Sequence, residues 1–374
     1  MKNKKIIFCI DSLGKGGAER VVSTLANELS QNNQVSIITL VNEQVAYELN
    51  ENVNLIELGK LKYNSKGKSF KKVKSLYNLI YRTRELRKCF NRIKPDIIIS
   101  FLPEASFLTV YANRKKYKLI ISDRNDPNHE YQTFIYKKLV RILYPKADGY
   151  VFQTFDAKNY FNNIIDFKKK KYEIIVNPVN EKFINYPISK SKEKKIVSVG
   201  RLTEQKNIDL LIDSFSDIEK DFPEYTLTIY GDGNMREHLS NKIKSLNLEN
   251  KIAMPGIVNN IQENIIDASL FVMSSDYEGI PNALIEAMTL GLPVISTDCP
   301  CGGPRMFIEN EKNGFLISVG SRKELANTMK KVLSDDNLKN RIGKNAKDIV
   351  ELVNPSVINS KWAYFINAVI GDDK

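Results

Sequence analysis

Residues 278–288 read EGIPNALIEAM, which sets Glu278 and Glu286 eight positions apart around a Gly-x-Pro turn, directly after the apolar run LFVMSS. The run has the length of a buried strand, and Pro281 suits the first position of a following helix, where an N–H would be unpaired anyway. Such a helix offers the first-turn amides of Asn282, Ala283 and Leu284 to an anion of phosphate size, with the positive end of its dipole behind them. Glu286, four residues beyond Asn282, shares that face and leans back toward the helix start. There it stays ionised, and its two oxygens can accept hydrogen bonds from a pair of vicinal ribose hydroxyls. Glu278 lies at the strand end, where the group beyond the phosphates would sit. The plainer alternative is two acids decorating a helix start.

A second stretch adds the opposite charge. In GRLTEQKN, Arg201 directly follows the strand-like run KIVSVG, and Lys206 comes five residues later near the next helix. A diphosphate gathers negative charge as its bond to a sugar breaks, and two cations fixed at a strand end stabilise that leaving group. Arginine supplies a two-pronged donor and lysine a point charge. Near the start of the chain, GKGGAER is a glycine loop after the strand-like KIIFCI. Gly16 and Gly17 would permit close approach of a ligand to the backbone, although the spacing is neither that of a dinucleotide loop nor of a P-loop.

These residues need elements to hold them. KIIFCI, QVSIITL, PDIIISF, KLIISD and DGYVFQ are strand-like, separated by helical stretches around 70–92, 104–113 and 133–144. The rhythm restarts after ISKSKEKK, with KIVSVG, YTLTIYGDG, KIAMPG, SLFVMSS and PVISTD as strands. Helices are expected near 207–217, 235–245, 259–267 and from Pro281. Strands alternating with helices predict parallel sheets covered on both faces. The fold class is therefore α/β, with two doubly wound domains, and 374 residues suit that number. The expected boundary lies within 176–192. It separates domain 1–180 from domain 181–354, and residues 355–374 form a last amphipathic helix that packs back on the first domain. Ligands of such sheets bind at the carboxyl ends of the strands, so two domains facing across a cleft would both open their loops into it.

Composition narrows the classes. Hydrophobic residues make up 42% of the chain, and no apolar run of about 18 residues exists to span a membrane. The apolar segment after Lys2, Lys4 and Lys5 is too short for a secretory signal, so a cytoplasmic protein is expected. Cys9, Cys89, Cys299 and Cys301 fit no disulfide framework. With only two histidines in the chain, the Cys299-x-Cys301 pair reads as small buried thiols, and no metal site is expected. The net charge of +12 is unevenly placed: residues 1–180 hold 32 Lys+Arg against 17 Asp+Glu, and residues 181–374 hold 24 against 27. Within 60–94 there are 13 basic residues and a single acid, Glu85. Arg84, Lys88 and Arg92 recur every four residues on one helix face, which suits an anionic membrane surface or a lipid diphosphate. A core-packed helix with a solvated basic side is the plain alternative.

Taken in order, GGAERVVSTLANEL, VGRLTEQKN, GDG and EGIPNALIEAM resemble the retaining two-domain (GT-B) glycosyltransferases of family 4, and the likeness covers essentially the whole chain. E-x7-E is that family's signature, and TDCPCGGPR is similar to a run in polysaccharide-building members. The resemblance implies transfer of a hexose or N-acetylhexosamine from a nucleotide-diphospho-sugar, a UDP-sugar at family level, without cofactor or metal. The acceptor would be an oligosaccharide or a lipid-linked glycan on a polyprenyl diphosphate, and the anomeric configuration would be retained. By the same resemblance Glu286 holds the ribose, and Arg201 and Lys206 hold the diphosphate. Glu278 and the amides of Gly279, Ile280, Pro281, Asn282, Ala283 and Leu284 would face the donor sugar and its phosphates, leaving Gly231 and Asp232 to line the base pocket. Where many relatives carry a histidine, this chain has Arg124 within ISDRNDPNHE. An always-charged guanidinium shuttles protons poorly but could donate to the donor phosphate or sugar, and His129 reads as structural.

No carboxylate stands out as a nucleophile for a double displacement, so a front-face route is expected in which the departing phosphate oxygen takes the acceptor's proton. Two other readings compete. A nucleotide-sugar epimerase on the same plan would convert donor alone, but its usual acids and histidine do not appear at recognisable spacing. A basic nucleic-acid binder would use the positive first half, but no basic motif with interleaved aromatics appears, so no nucleic-acid partner is expected.

Overall fold

The computed structural model describes residues 2–14, 16–59, 70–187 and 192–371, with side chains left aside over 70–76. Lys15, the 60–69 part of the basic run and linker residues 188–191 lie outside the described residues. Contacts divide the chain into two units. Unit 1 comprises Met1–Asn177 and Ile358–Lys374, and unit 2 is Pro178–Val357.

Unit 1 runs β1 (Lys5–Ile10), α1 (Gly17–Ser30), β2 (Gln34–Thr39), β3 (Val53–Glu57), α2 (Phe70–Ile93), β4 (Ile97–Phe101), α3 (Pro103–Asn113), β5 (Lys118–Ser122), α4 (Pro127–Glu130), α5 (Phe134–Leu143), β6 (Gly149–Phe152), α6 (Phe155–Tyr160) and β7 (Lys171–Ile174). Its seven strands are all parallel in the order β3-β2-β1-β4-β5-β6-β7. The central strands explain themselves: Ile6, Ile7, Phe8, Cys9 and Ile10 are fully buried, as are Ile97, Ile98 and Ile99, because helices cover both faces of a parallel sheet.

Unit 2 runs α7 (Glu181–Ile184), β8 (Glu193–Val199), α8 (Ile208–Ser216), β9 (Thr226–Tyr230), α9 (Arg236–Ser245), β10 (Ile252–Gly256), α10 (Ile261–Ile265), β11 (Ala268–Met273), α11 (Asn282–Thr289), β12 (Val294–Thr297), β13 (Phe315–Ile317), α12 (Arg322–Leu333), α13 (Asp336–Ala346) and α14 (Val350–Val353). Its parallel order, β10-β9-β8-β11-β12-β13, turns between β8 and β11 just as unit 1 turns between β1 and β4. Both units are thus doubly wound. One core, built on Ile196, Leu211, Phe215, Leu227, Ile229 and Leu270, fills the side of this sheet under α8, α9 and α12.

The final helix, α15 (Pro355–Ile370), places Trp362, Phe365, Ile366 and Val369 inside unit 1. The Trp362 ring stacks on Phe101 at 5.8 Å. A Cβ on Gly149 would come within 2.7 Å of Val369, so glycine at the start of β6 lets this helix lie against the sheet.

Strands β3, β7 and β13 were not singled out as strands in the sequence. Each is an edge strand: VNLIE and KYEI are broken by charge or exposure, and FLI is only three residues long. Edges are kept polar and brief to discourage pairing with other chains, and this weakens the apolar signal. Helix α10 is shorter than the stretch expected at 259–267.

Beside β5, Asp123 is buried and accepts a 2.6 Å hydrogen bond from the Tyr131 hydroxyl, which lies 2.7 Å from that of Tyr144. Burial lifts this carboxyl from 3.8 to about 7. The folded chain therefore holds a proton that the unfolded chain releases at lower pH, and stability falls as pH rises from about 4 to about 7. Asp11 is lifted to about 7 by burial with Glu104 nearby, and adds the same sign. Asp123→Asn should flatten the decline of Tm over that window by about one proton's worth of linkage. Thermal unfolding followed by circular dichroism at stepped pH tests this, and an unchanged slope would refute it.

Candidate active site

In unit 2 the loops after β8, β9, β11 and β12 all leave the same edge of a parallel sheet, and the order turns between β8 and β11. That is the position where open parallel sheets hold ligands. The loop after β8 contains Gly200, Arg201 and Lys206, and the loop after β11 contains Glu278. Lys206 extends past Gly200, where an added Cβ would lie 3.3 Å from its Cε, and its ammonium reaches the Glu278 carboxylate at 2.5 Å. The Ser275 hydroxyl donates to the same oxygen at 2.8 Å. Glu278 is only 7% exposed, and a buried carboxylate requires this pairing.

Side chains and backbone knit the two loops together. Asn207 donates to Asp276 at 2.8 Å and Gln205 to the Tyr277 carbonyl at 2.8 Å. The Ser274 hydroxyl donates to the Lys206 carbonyl, and the Asp276 N–H to that of Gln205. Asn207 adopts a left-handed conformation and caps α8 through Leu210 N–H. Arg201 is exposed at the strand end.

Two glycine contacts bring the remaining loops in. Gly231, at φ +132°, has no room for a Cβ, which would fall 1.9 Å from the Gly200 carbonyl oxygen. The Asp232 carbonyl accepts the Leu202 N–H at 2.9 Å, while its side chain is about half exposed. On the other side, a Cβ on Gly303 would fall 1.8 Å from the Gly279 oxygen and 3.0 Å from Pro281 Cδ. The backbones of Glu278, Pro300 and Cys301 exchange hydrogen bonds of 2.6 and 2.9 Å, so the CPCGG loop clamps EGIP. Burial, with Glu278 nearby, pushes the Cys299 thiol up to about 12, which makes it an inert packing group. Among the described residues no cluster of three or more His, Cys, Asp or Glu could hold a metal ion.

Helix α11 starts one residue later than expected. Pro281 is its N-cap rather than its first residue, and its carbonyl accepts the N–H groups of Leu284 and Ile285 at 3.1 and 3.2 Å. The expectation of three amides turned to a ligand is corrected to two positions, Asn282 and Ala283, with Leu284 already bonded. Both are half-buried, as are Gly279 and Glu286, while Ile280 and Leu284 pack inside. Lys206 likewise differs from expectation in sharing its charge with Glu278, so Arg201 is the exposed cation of the pair.

The remaining predicted residues lie in unit 1. Gly16 N-caps α1, and a Cβ on it would fall 2.1 Å from a Glu19 carboxylate oxygen. The Glu19 carboxylate thus lies directly beside this glycine. Arg124 is buried at 6% exposure. Its guanidinium sits 5.0 Å from the Phe101 ring centre and 5.5 Å from Trp362, and donates to Asn177 Oδ1 at 3.3 Å. Burial pushes it down to about 9. The expected donor to sugar or phosphate is thus a packed group beneath α15. His129 is tied through Nδ1 to buried Asp126 at 2.7 Å. Arg84, Lys88 and Arg92 are exposed on α2, with Thr83, Leu86, Cys89 and Phe90 turned inward, and Lys88 pairs with Glu85 at 2.7 Å. Gly200, Ser275, Asp276 and Gly303 were not picked out from sequence. Gly200, Ser275 and Gly303 nevertheless lay in quoted runs, GRLTEQKN, LFVMSS and TDCPCGGPR.

Comparison with known proteins gives concordant matches. Residues 15–183 match the family described as Glycosyltransferase Family 4, and residues 179–349 match Glycosyl transferases group 1. A Campylobacter jejuni protein named N-acetylgalactosamine-N,N'-diacetylbacillosaminyl-diphospho-undecaprenol 4-alpha-N-acetylgalactosaminyltransferase is 30% identical, covering 92% of this chain and 94% of the relative. The amylovoran biosynthesis glycosyltransferase AmsD of Erwinia amylovora is 27% identical, covering 97% and 99%. Among solved structures, sucrose-phosphate synthase from Thermosynechococcus elongatus superposes with a TM-score of 0.80 at 18% identity over 99% of this chain and all of the other. Anabaena HepE in complex with UDP gives 0.77 at 19%, covering 97% and 100%. At these identities the solved structures speak to the fold alone.

The Gly303–Gly279 contact makes a sharp expectation. Gly303→Ala forces the clamp off EGIP, and on the nucleotide-binding reading proposed in the next subsection apparent affinity for uridine diphosphate should fall at least tenfold while far-ultraviolet circular dichroism stays unchanged. Isothermal titration calorimetry measures it, and retained affinity would show that the clamp does not shape the site.

Proposed function

Because the chain belongs to the glycosyltransferases of family 4 and group 1, we propose that unit 2 binds a nucleotide-diphospho-sugar, a UDP-sugar, and that the enzyme transfers its hexose or N-acetylhexosamine with retention. The observation that carries this reading is the Lys206–Glu278 pair. It spans the turning point of the sheet beside exposed Arg201 and the start of α11.

In this reading the diphosphate lies against Arg201, the Lys206 ammonium and the first amides of α11, and Glu286 accepts from the ribose hydroxyls. The base occupies the side formed by Gly231 and Asp232. Glu278 has two tasks: it orients Lys206, and it faces the donor sugar from the strand end. The anomeric C–O bond breaks with its electron pair going to the phosphate oxygen. The acceptor hydroxyl attacks from that same face, and its proton passes to that oxygen. The protein's work is then positioning and stabilisation of charge, which Arg201 and Lys206 supply without a required metal. Trapping a glycosyl-enzyme adduct on any carboxylate by mass spectrometry would overturn the front-face route.

The acceptor we propose is a glycan on a polyprenyl diphosphate, in assembly of a surface polysaccharide. The C. jejuni relative, named for a diphospho-undecaprenol acceptor, supports the lipid diphosphate, and the E. amylovora relative, named for amylovoran biosynthesis, supports a biosynthetic role. Helix α2 exposes Arg84, Lys88 and Arg92, and α5, which like α2 packs on α3, exposes Phe134, Ile135 and Ile142 beside Lys137, Lys138 and Arg141. Exposed apolar groups among cations suit an anionic bilayer surface, and no helix among the described residues is long and apolar enough to cross a membrane. We therefore place the enzyme as a peripheral protein on the cytoplasmic face of the membrane.

Uridine diphosphate should raise Tm in a thermal-shift assay, with guanosine diphosphate less effective. Lys206→Met should lower kcat/KM by about 10² to 10³, the range for losing one transition-state donor. A stabilised but fully active Lys206→Met enzyme would sink the assignment. Proton NMR of the first-formed product reports the anomer, and inversion would refute retention. Reversing Arg84, Lys88 and Arg92 to Glu should release the protein from sedimenting phosphatidylglycerol vesicles, and unchanged sedimentation would remove α2 from the membrane reading.

A further inference from the structure

At the opposite edge of the unit 2 sheet, where β8, β11 and β12 begin, lies a cavity of about 710 Å³. Five lysines line it, Lys192, Lys194, Lys339, Lys344 and Lys347, against one acid, Asp336. This concentration runs against the charge of the region, since residues 181–374 as a whole carry more acids than bases. Its volume lies within the range of small-ligand pockets.

The cavity is built rather than incidental. Lys339 is 8% exposed, and a lysine is rarely buried to that extent unless its charge is met. It reaches Asp336 at 2.6 Å and the Tyr225 hydroxyl at 3.2 Å. Lys194 approaches the same hydroxyl at 3.5 Å and lies 5.1 Å from the ring centre, with Lys339 at 5.9 Å. Two ammonium groups therefore converge on one phenol with a single carboxylate to offset them. Lys344 and Lys347 extend the positive side and form no ion pair among the described residues. The opposite wall is set by close backbone approach. A Cβ on Gly343 of α13 would fall 2.5 Å from the Gly291 carbonyl oxygen, which brings the lysine-bearing helix against the turn before β12.

We propose that this cavity is an anion site for a phosphate-bearing ligand of diphosphate or nucleotide size, separate from the site at the other edge of the sheet. Several lysines around one space suit a multiply charged group, because each ammonium is a mobile point charge and no fixed fork imposes a planar partner. Like charges held together repel, and a polyvalent anion converts that repulsion into attraction. A soluble diphosphate and an anionic lipid headgroup share this chemistry.

Lysine acetylation read out by peptide mass spectrometry resolves both sites at once on the full chain. Inorganic pyrophosphate should protect Lys194, Lys344 and Lys347 saturably, with labelling falling at least fivefold. Lys344→Gln with Lys347→Gln should weaken protection of Lys194 about tenfold and leave transfer activity unchanged. Phosphatidylglycerol vesicles form the second arm. Protection by vesicles alone assigns the site to a lipid headgroup, and protection by pyrophosphate alone assigns it to a soluble ligand. No saturable protection in either arm, or undiminished protection of Lys194 in the double variant, overturns the proposal. Lys206, labelled in the same experiment with and without uridine diphosphate, reports on the first site independently.

Discussion

A charged pair with a buried carboxylate and a half-buried ammonium, at the centre of a sheet's edge, organises unit 2. Lys206 and Glu278 come from loops 72 positions apart in sequence and meet because β8 and β11 are neighbours. Desolvating either charge alone would be strongly unfavourable, and removing one partner would leave the other uncompensated. The pair therefore constrains both loops, and the bonds from Ser275, Ser274, Gln205 and Asn207 follow from keeping its geometry. In the proposed chemistry a diphosphate would enter a site whose cation is already oriented, so little reorganisation accompanies the change in charge.

The glycines around the pair act through absence of bulk. Gly231 and Gly303 each let one backbone press against a carbonyl of the neighbouring loop, and those two contacts pack four separate strand ends into one site. Either replacement would exchange a van der Waals contact for an overlap that only backbone movement can relieve. A site assembled in this way tolerates variation in its side chains better than in its loop spacing.

The central strands were legible because apolar runs of five or six residues in a parallel sheet have no competing explanation. Strands β3 and β7 were not, since an edge strand written with Lys, Glu and Asn has no periodic signal to offer, and β13 was not because its three residues FLI are too few to show one. In the candidate site, the acids at 278 and 286 and the cations at 201 and 206 could be named from their positions at strand ends and helix starts. That Lys206 would be held by Glu278 could not, because their proximity depends on strand order, which no local pattern encodes. Arg124 shows the reverse limit. Its position after β5 suggested chemistry, but its environment is made by Phe101 and Trp362, which come from a different strand and from the far end of the chain.

The two units share a strand order but differ in what their turning points present. In unit 1 the loops near β1 and β4 bring Asp11 close to Glu104, Glu19 and Glu130. Burial with Glu104 nearby lifts Asp11 to about 7, and burial also raises Glu130. Arg82 opposes Asp11 there. A diphosphate brought to such a crown would add negative charge to carboxylates already short of solvation, whereas neutral hydroxyl groups would supply the hydrogen-bond donors they lack. Unit 2 has the complementary character, with Arg201, Lys206 and the start of α11 at its turning point. Like folds thus differ in charge at their turning points, carboxylates gathering in unit 1 where cations gather in unit 2. That difference follows from the loops alone, since the sheets beneath them are wound the same way.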